Sequence, residues 1–428
     1  KFAFNSTFGL QQITKTVDVL DTEQWMEFVK EAYVNDNKPI PEFFNRDASS
    51  FANTNWQNEI FRISPYQNYQ LSATGGSDKF QYSISANILD NEGIIITTYS
   101  KTYSSNGNFN IILNPKLTIG LTFNASYTKQ RVNNSIESGF GHGSGGYGIA
   151  GNIIQQALWF APIIPVYTAN GDYGQYMQGE FAPYFPKGYA NPVANLKETH
   201  DLYSRNNMTG RLYLNYEIIK DLSLNTSFGG RLNSYYRDWH VSPYLAGTSS
   251  PYANFSNPIY QNIRAGQENG MSNSWTAETY LDYNHIFGNV HDINFIVGYS
   301  MEYNGSRSTS STASSNNRGT ANAANPIPAF DNYFRPNIYG AALILGGGGF
   351  GENAFQSIFS RLNYSYKDKY LLMGSIRRDG SSKFAPDNRW GIFPAISGGW
   401  RISKEPFMEN STWIDELKLR ASYGVSGN

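Results

Sequence analysis

The chain has 428 residues, a net charge of −1 and no cysteine, and 16% of its residues are charged, against about 25% in ordinary soluble domains. This balance, with a pI near 6.6, leaves no electrostatic footprint for nucleic acid or an anionic bilayer surface, and the lack of cysteine excludes disulfide and thiolate chemistry. Aromatic residues make up 15%, with 31 Tyr and 27 Phe; a mean hydropathy of −0.46 and no apolar run of about 18 residues leave strands as the only means of crossing a bilayer.

Taken in chain order, the dominant signal is alternation of apolar and polar side chains over about thirteen segments of roughly ten to sixteen residues. The first strand falls near 1–12 and leads into a long excursion over 13–65, with a helix at 22–33 that Asp21 is placed to cap. Strands at 66–74 and 79–89 flank a tight turn at 75–78, and in the second Phe80, Tyr82, Ile84, Ala86 and Ile88 share one face. A moderate loop at 90–100 precedes a strand at 101–113, the turn Asn114-Pro115-Lys116, and a strand at 117–127 carrying Leu117, Ile119, Leu121, Phe123, Ala125 and Tyr127 on one face. A long loop follows, from 132 to about 202. Beyond it, tight connections at 219–221, 287–292 and 367–369 alternate with long loops near 238–270 and 306–352. The segment 293–303 repeats the alternation, with Val297 on its apolar face, and the last strand falls at 417–425.

Tight turns on one side and long loops on the other define an all-β, transmembrane, antiparallel up-and-down β-barrel, with its turns in the periplasm and its long loops in the medium. Leu121 and Val297 then face lipid, and Trp390, Trp400 and Trp413 sit where interfacial girdle residues are expected. An odd strand count leaves an edge that lipid does not tolerate, so further strands are expected beyond the chain.

Candidate chemical motifs have simpler readings. Gly141-His142-Gly143-Ser144-Gly145-Gly146 satisfies G-x-G-x-x-G and precedes a helix at 149–160, but hairpins surround it rather than the βαβ unit a dinucleotide site needs. Gly346-Gly347-Gly348-Gly349 reads as loop, without the Gly-Lys-Ser/Thr ending of a P-loop. His142, His200, His240, His285 and His291 show no metal-ligand spacing, Asp379 and Glu92 read as folding or lid-contact residues, and neither catalysis nor a cofactor is expected. The long loop after 132 is rich in rings: Trp159, Phe160, Tyr167, Tyr173, Tyr176, Phe181, Tyr184, Phe185 and Tyr189, interleaved with prolines. Flat aromatic faces stack on sugars or peptide side chains. Substrate or lid contact is therefore one reading of these rings, and packing within the loop is the favoured one.

Several motifs, in order, resemble the SusC/RagA group of TonB-dependent outer-membrane transporters. They are Trp56-Gln57 with Glu59-Ile60-Phe61, Gly75-Gly76-Ser77, and Asp90-Asn91-Glu92-Gly93-Ile94-Ile95. The most specific block runs from Arg378-Asp379-Gly380-Ser381-Ser382-Lys383-Phe384 through Asn388-Arg389-Trp390-Gly391 and Gly399-Trp400-Arg401-Ile402 to Leu417-Lys418-Leu419-Arg420-Ala421-Ser422-Tyr423-Gly424. Ala385 stands where the group's pattern suggests Gly. The resemblance implies a barrel of about 22 strands, of which the whole chain 1–428 is one part. It places an N-terminal plug, which contacts TonB, and the C-terminal strands outside the chain. It also implies the outer membrane of a Gram-negative bacterium, import of oligosaccharides or peptides beneath a SusD-like surface lipoprotein lid, and compatibility with a homodimer. A SusC-like barrel serving as a structural or assembly subunit of a larger outer-membrane complex is the alternative.

Overall fold

A computed structural model describes residues 1–131, 153–174, 191–241, 263–315, 343–408 and 413–427. Among these described residues, thirteen strands form one antiparallel sheet in strict chain order. The first five are β1 (Phe2–Gln11), β2 (Ser64–Gly76), β3 (Phe80–Glu92), β4 (Tyr99–Asn114) and β5 (Leu117–Arg131). Five longer strands follow, β6 (Thr199–Ile219), β7 (Leu222–Val241), β8 (Ile263–Phe287), β9 (His291–Ser315) and β10 (Leu343–Tyr366). β11 (Tyr370–Ser381), β12 (Trp390–Arg401) and β13 (Lys418–Gly424) complete it, with β1 and β13 at its edges.

Register decides what each face carries. Because partners across an antiparallel ladder point the same way, Leu117, Tyr216, Leu224, Leu281 and Val297 form one continuous row over β5 to β9. Phe109, Leu121, Leu212 and Phe228 form a second row on the same face. Rings stack along such rows: Phe228 against Trp275 and Trp275 against Tyr303, each pair with centroids 6.2 Å apart. The opposite face carries Asn, Ser, Thr and Gln, with hydrogen bonds such as Asn124 Nδ2 to Thr209 Oγ1 at 3.3 Å. A barrel in lipid needs this arrangement, apolar outward and polar inward. Leu121 and Val297 thus lie on the outward face. Small residues admit the largest rings: Gly120 lies beneath the Tyr213 ring with no room for even a methyl group.

The strands run further than the apolar alternation. β6 to β10 span 20 to 25 residues, so the expected external loops at 238–270 and 306–352 are shortened by ladder that continues at both ends. Gly346–Gly349, expected in a loop, lies within β10, paired with Ser308–Ser311 of β9. Above the lipid neither face must be apolar, so a Ser, Thr and Gly sequence keeps its backbone bonds without the period-two signature. The turn expected at 75–78 also shifts, since Gly75 and Gly76 belong to β2. Trp413 lies in the connection before β13, 83% exposed, while Trp390 and Trp400 stand in β12.

One connection on the short-turn side is not tight. Residues 402–408 leave β12 through two one-turn helices and are clamped to the neighbouring turn. The Tyr370 hydroxyl donates to Glu405 Oε1 at 2.7 Å, the Trp400 indole N–H donates to the same oxygen at 3.0 Å, and Lys369 Nζ lies 3.3 Å from Oε2. Beside it Arg401 and Lys404 both hold Asp368. The Tyr370 and Trp400 hydrogen bonds, with Lys369 nearby, hold the Glu405 carboxyl below its ordinary range.

Two outcomes follow for the intact barrel in bilayers. Leu121→Arg should cost about 2–4 kcal/mol in urea titrations, and Thr122→Arg, on the inward face, clearly less; equal costs would reverse the assignment of faces. A carboxyl with a depressed pKa stabilises above its unfolded pKa and loses that contribution as pH falls through the folded one. Amide exchange protection over 402–408, corrected for intrinsic rates, should therefore fall below about pH 4, and Glu405→Gln should flatten that profile.

Candidate functional site at the external mouth

Among the described residues, the buried apolar side chains gather outside the sheet, in a lobe built from two distant loops. From the β1–β2 excursion come α1 (Thr22–Asn35), two one-turn helices and α2 (Trp56–Ile60); from the β5–β6 loop come α3 (Ile153–Trp159), the stretch 160–174 and α4 (Pro192–Glu198). α1 starts at a capping box, with the Asp21 carboxylate accepting from the Gln24 amide at 2.9 Å and Gln24 Oε1 accepting from the Asp21 amide at 3.2 Å. Asn55 caps α2 through the Gln57 and Asn58 amides. Asn191 caps α4, and its Nδ2 also donates to the carbonyls of Val166 and Gly174.

Trp56 locks the two loops together. Its ring meets Phe160 edge-on with centroids 4.8 Å apart, and its indole N–H donates to the Ala161 carbonyl at 3.0 Å. Nearby the Thr54 amide donates to the Pro162 carbonyl at 2.9 Å and its hydroxyl to the Ile164 carbonyl at 2.8 Å. The lobe also grips the strand ends: the Thr97 hydroxyl donates to the Leu196 carbonyl at 3.0 Å, and Arg131 Nη2 to the same carbonyl at 3.3 Å. Just beyond α4, Arg237 in β7 holds the buried Asp201 of β6 through two bonds of 2.8 Å and reaches Glu268 of β8 at 3.1 Å. This triad ties the return of the loop to three adjacent strands.

The expected contact residues separate. Phe160 is 3% exposed, and its ring packs against Trp56 in the lobe core. Trp159, the next residue back, is 55% exposed, and Tyr167 is 44% exposed. Tyr173 packs its ring 5.2 Å from Tyr167 and donates its hydroxyl to Glu198 Oε1 at 3.0 Å, while Lys197 Nζ donates to the Tyr167 hydroxyl at 2.9 Å. Burial, with the adjacent Glu198 carboxylate, pushes the Tyr173 phenol well up, so it stays protonated at any physiological pH. Tyr176, Phe181, Tyr184, Phe185 and Tyr189, and the glycine-rich 141–146 run, lie outside the described residues. Glu92 and Asp379 sit on different hairpins, each beside its own arginine: Arg62 at 3.3 Å and Arg377 at 2.6 Å. His285 Nδ1 lies 2.7 Å from Asp221 and His291 Nδ1 2.7 Å from the Tyr364 hydroxyl.

A membrane sheet with an external lobe packed around its own core defines the barrel portion of an outer-membrane receptor. Residues 161–428 match the family described as TonB dependent receptor-like, beta-barrel, and the chain belongs to that family of receptors and transporters. It is 29% identical, over 99% of its length, to TonB-dependent receptor P3 of Formosa agariphila, and 26% identical, also over 99%, to the TonB-dependent receptor SusC of Bacteroides thetaiotaomicron. It spans only 38% and 39% of those two relatives. Among solved structures, the RagAB peptide transporter shares the fold over 99% of this chain and 47% of its own, with a TM-score of 0.68 and 21% identity. The protein resides in the outer membrane of a Gram-negative bacterium, as SusC/RagA-type receptors do.

Trp56→Ala should destabilise the lobe by about 3–5 kcal/mol, because it opens a cavity and leaves the Ala161 carbonyl unbonded. Limited proteolysis of intact cells checks this: cleavage within 13–63 and 153–198 should rise together, and cleavage in one loop alone would show that they do not fold as a unit.

Proposed function

We propose that this chain forms part of the wall and external lobe of a SusC/RagA-type importer, which carries an oligosaccharide or peptide across the outer membrane without a chemical step. In this reading a plug domain fills the barrel, TonB supplies the energy through it, and a SusD-like lipoprotein rests on the lobe as a lid. The observation that carries the reading is the shared core of two loops that lie far apart in sequence. Mobile loops need no common core, whereas a lid that docks and lifts needs a firm surface, and the buried Trp56–Phe160 pair packs the two loops into one body that can offer it. The kinship with SusC and the fold shared with a transporter that works as the RagAB pair support the same reading.

On this reading Trp159 and Tyr167, exposed on the lobe, are offered to lid or ligand. The test uses the full-length protein in its own host. Affinity purification in mild detergent should bring down one surface lipoprotein in near-stoichiometric amount, and uptake should stop when the proton-motive force is collapsed. The pair Trp159→Ala and Tyr167→Ala should weaken lid retention or uptake by about tenfold, roughly 1.4 kcal/mol, with the barrel unchanged in heat-modified gel migration. Uptake that survives without proton-motive force, or a purified barrel without a lipoprotein, would overturn the reading.

A further inference from the structure

The inward face of the sheet is not uniform in charge. On β1 to β5 every inward position is uncharged, from Asn5 and Gln70 through Asn87 and Asn106 to Asn124 and Gln130, with serine and threonine between them. On β6 and β7 the inward face is charged: Arg205, Arg211 and Arg231 stand there, exposed and without an ion pair to any described residue, alongside Glu217 and the Arg237–Asp201 pair. On β8 and β9 it turns acidic, with Glu278, Asp282, Asp292 and Glu302 among the inward positions whose side chains are described. Arginine returns on β10 to β13 at Arg361, Arg377 and Arg420. Five adjacent strands whose inward face bears no charge, beside eight whose inward face does, divide the wall into two arcs.

The arcs suit different occupants. Fixed charges favour a resident partner that pairs them, and they trap or repel a charged solute in transit. A solute that must keep moving needs many weak, interchangeable sites. Amides and hydroxyls offer these, since each both donates and accepts, and several are joined only loosely to one another, as Asn106 Nδ2 to Ser85 Oγ at 3.5 Å. A sugar hydroxyl can exchange with any of them, whereas a peptide brings charged termini and side chains. Resting on the transporter reading above, we propose that the β1–β5 wall is the passage for ligand, that the β6–β13 wall holds the resident domain, and that the ligand is an uncharged oligosaccharide.

These 428 residues hold no cysteine, and once any thiol elsewhere in the full-length protein is replaced by serine, single introduced thiols report cleanly. In the full-length transporter with its native partner, Ser104→Cys on β4 and Ser126→Cys on β5 are compared with Ser227→Cys on β7 and Ser300→Cys on β9. All four serines are half-buried on the inward face. Intact cells are treated with a neutral glucosyl methanethiosulfonate and, separately, with its anionic sulfonatoethyl counterpart. The glucosyl reagent should modify positions 104 and 126 at least about tenfold faster than 227 and 300, and the sulfonate should gain no such advantage over it at 104 and 126. Equal or reversed rates between the arcs would overturn the passage, and a sulfonate about tenfold faster than the glucosyl reagent at 104 and 126 would overturn the uncharged ligand. If uptake in the preceding assay fails while this labelling pattern holds, the transport reading alone falls.

Discussion

The ladder of backbone hydrogen bonds between neighbouring strands is the constraint on which everything else in this molecule rests. Inside a bilayer no water can satisfy a stray N–H or C=O, so each strand must find both neighbours in register. The register then fixes the faces, because a slip of one residue would turn Leu121 and its whole row inward. The two faces have opposite needs, and the same pairing meets both. It lines up aromatic stacks such as Phe228, Trp275 and Tyr303 against lipid while it sets Asn124 beside Thr209 in the interior.

The sheet alone would be a wall without a purpose, and the lobe gives it an outside. Its helices are short: α2, α3 and α4 have five to seven residues and would not persist alone. Side-chain caps at Asp21, Asn55 and Asn191 stabilise their first turns. What holds them is burial against each other. The excursion after β1 supplies Trp56, Ile60 and Phe44, and the loop after β5 supplies Phe160, Ile163 and Leu196. Anchors on Thr97 and Arg131 then transmit the position of this core to the strand ends. The lobe is thus tied directly to the sheet beneath it.

At the opposite rim the clamp around Glu405 has a comparable role. The 402–417 connection is too long for a hairpin turn, and it is held by a carboxylate that accepts from Tyr370 and Trp400 next to Lys369. Both donors belong to the outward aromatic band, so the same rings that sit at the membrane interface also fix the turn.

Much of this was legible in the sequence because a strand with one face in lipid and one in water writes a period of two. Phe80 to Ile88 and Leu117 to Tyr127 announced their strands and faces, Asp21 announced a helix start, and the order of short and long connections assigned the outside. The composition alone separated a strand barrel from membrane helices. Where neither face has to be apolar the signal vanishes, so the ladder joining Ser308–Ser311 to Gly346–Gly349 has no period-two mark in the sequence. The fate of individual rings was equally hidden. Trp159 and Phe160 are adjacent and similar in chemistry, yet one is exposed and the other fills the core against Trp56, more than a hundred positions away. Local pattern therefore determined that the chain is a membrane barrel and which residues point outward. Only the tertiary structure decided that two remote loops share one core and that charge on the inner wall is confined to one arc, because both depend on which distant segments the ladder brings side by side.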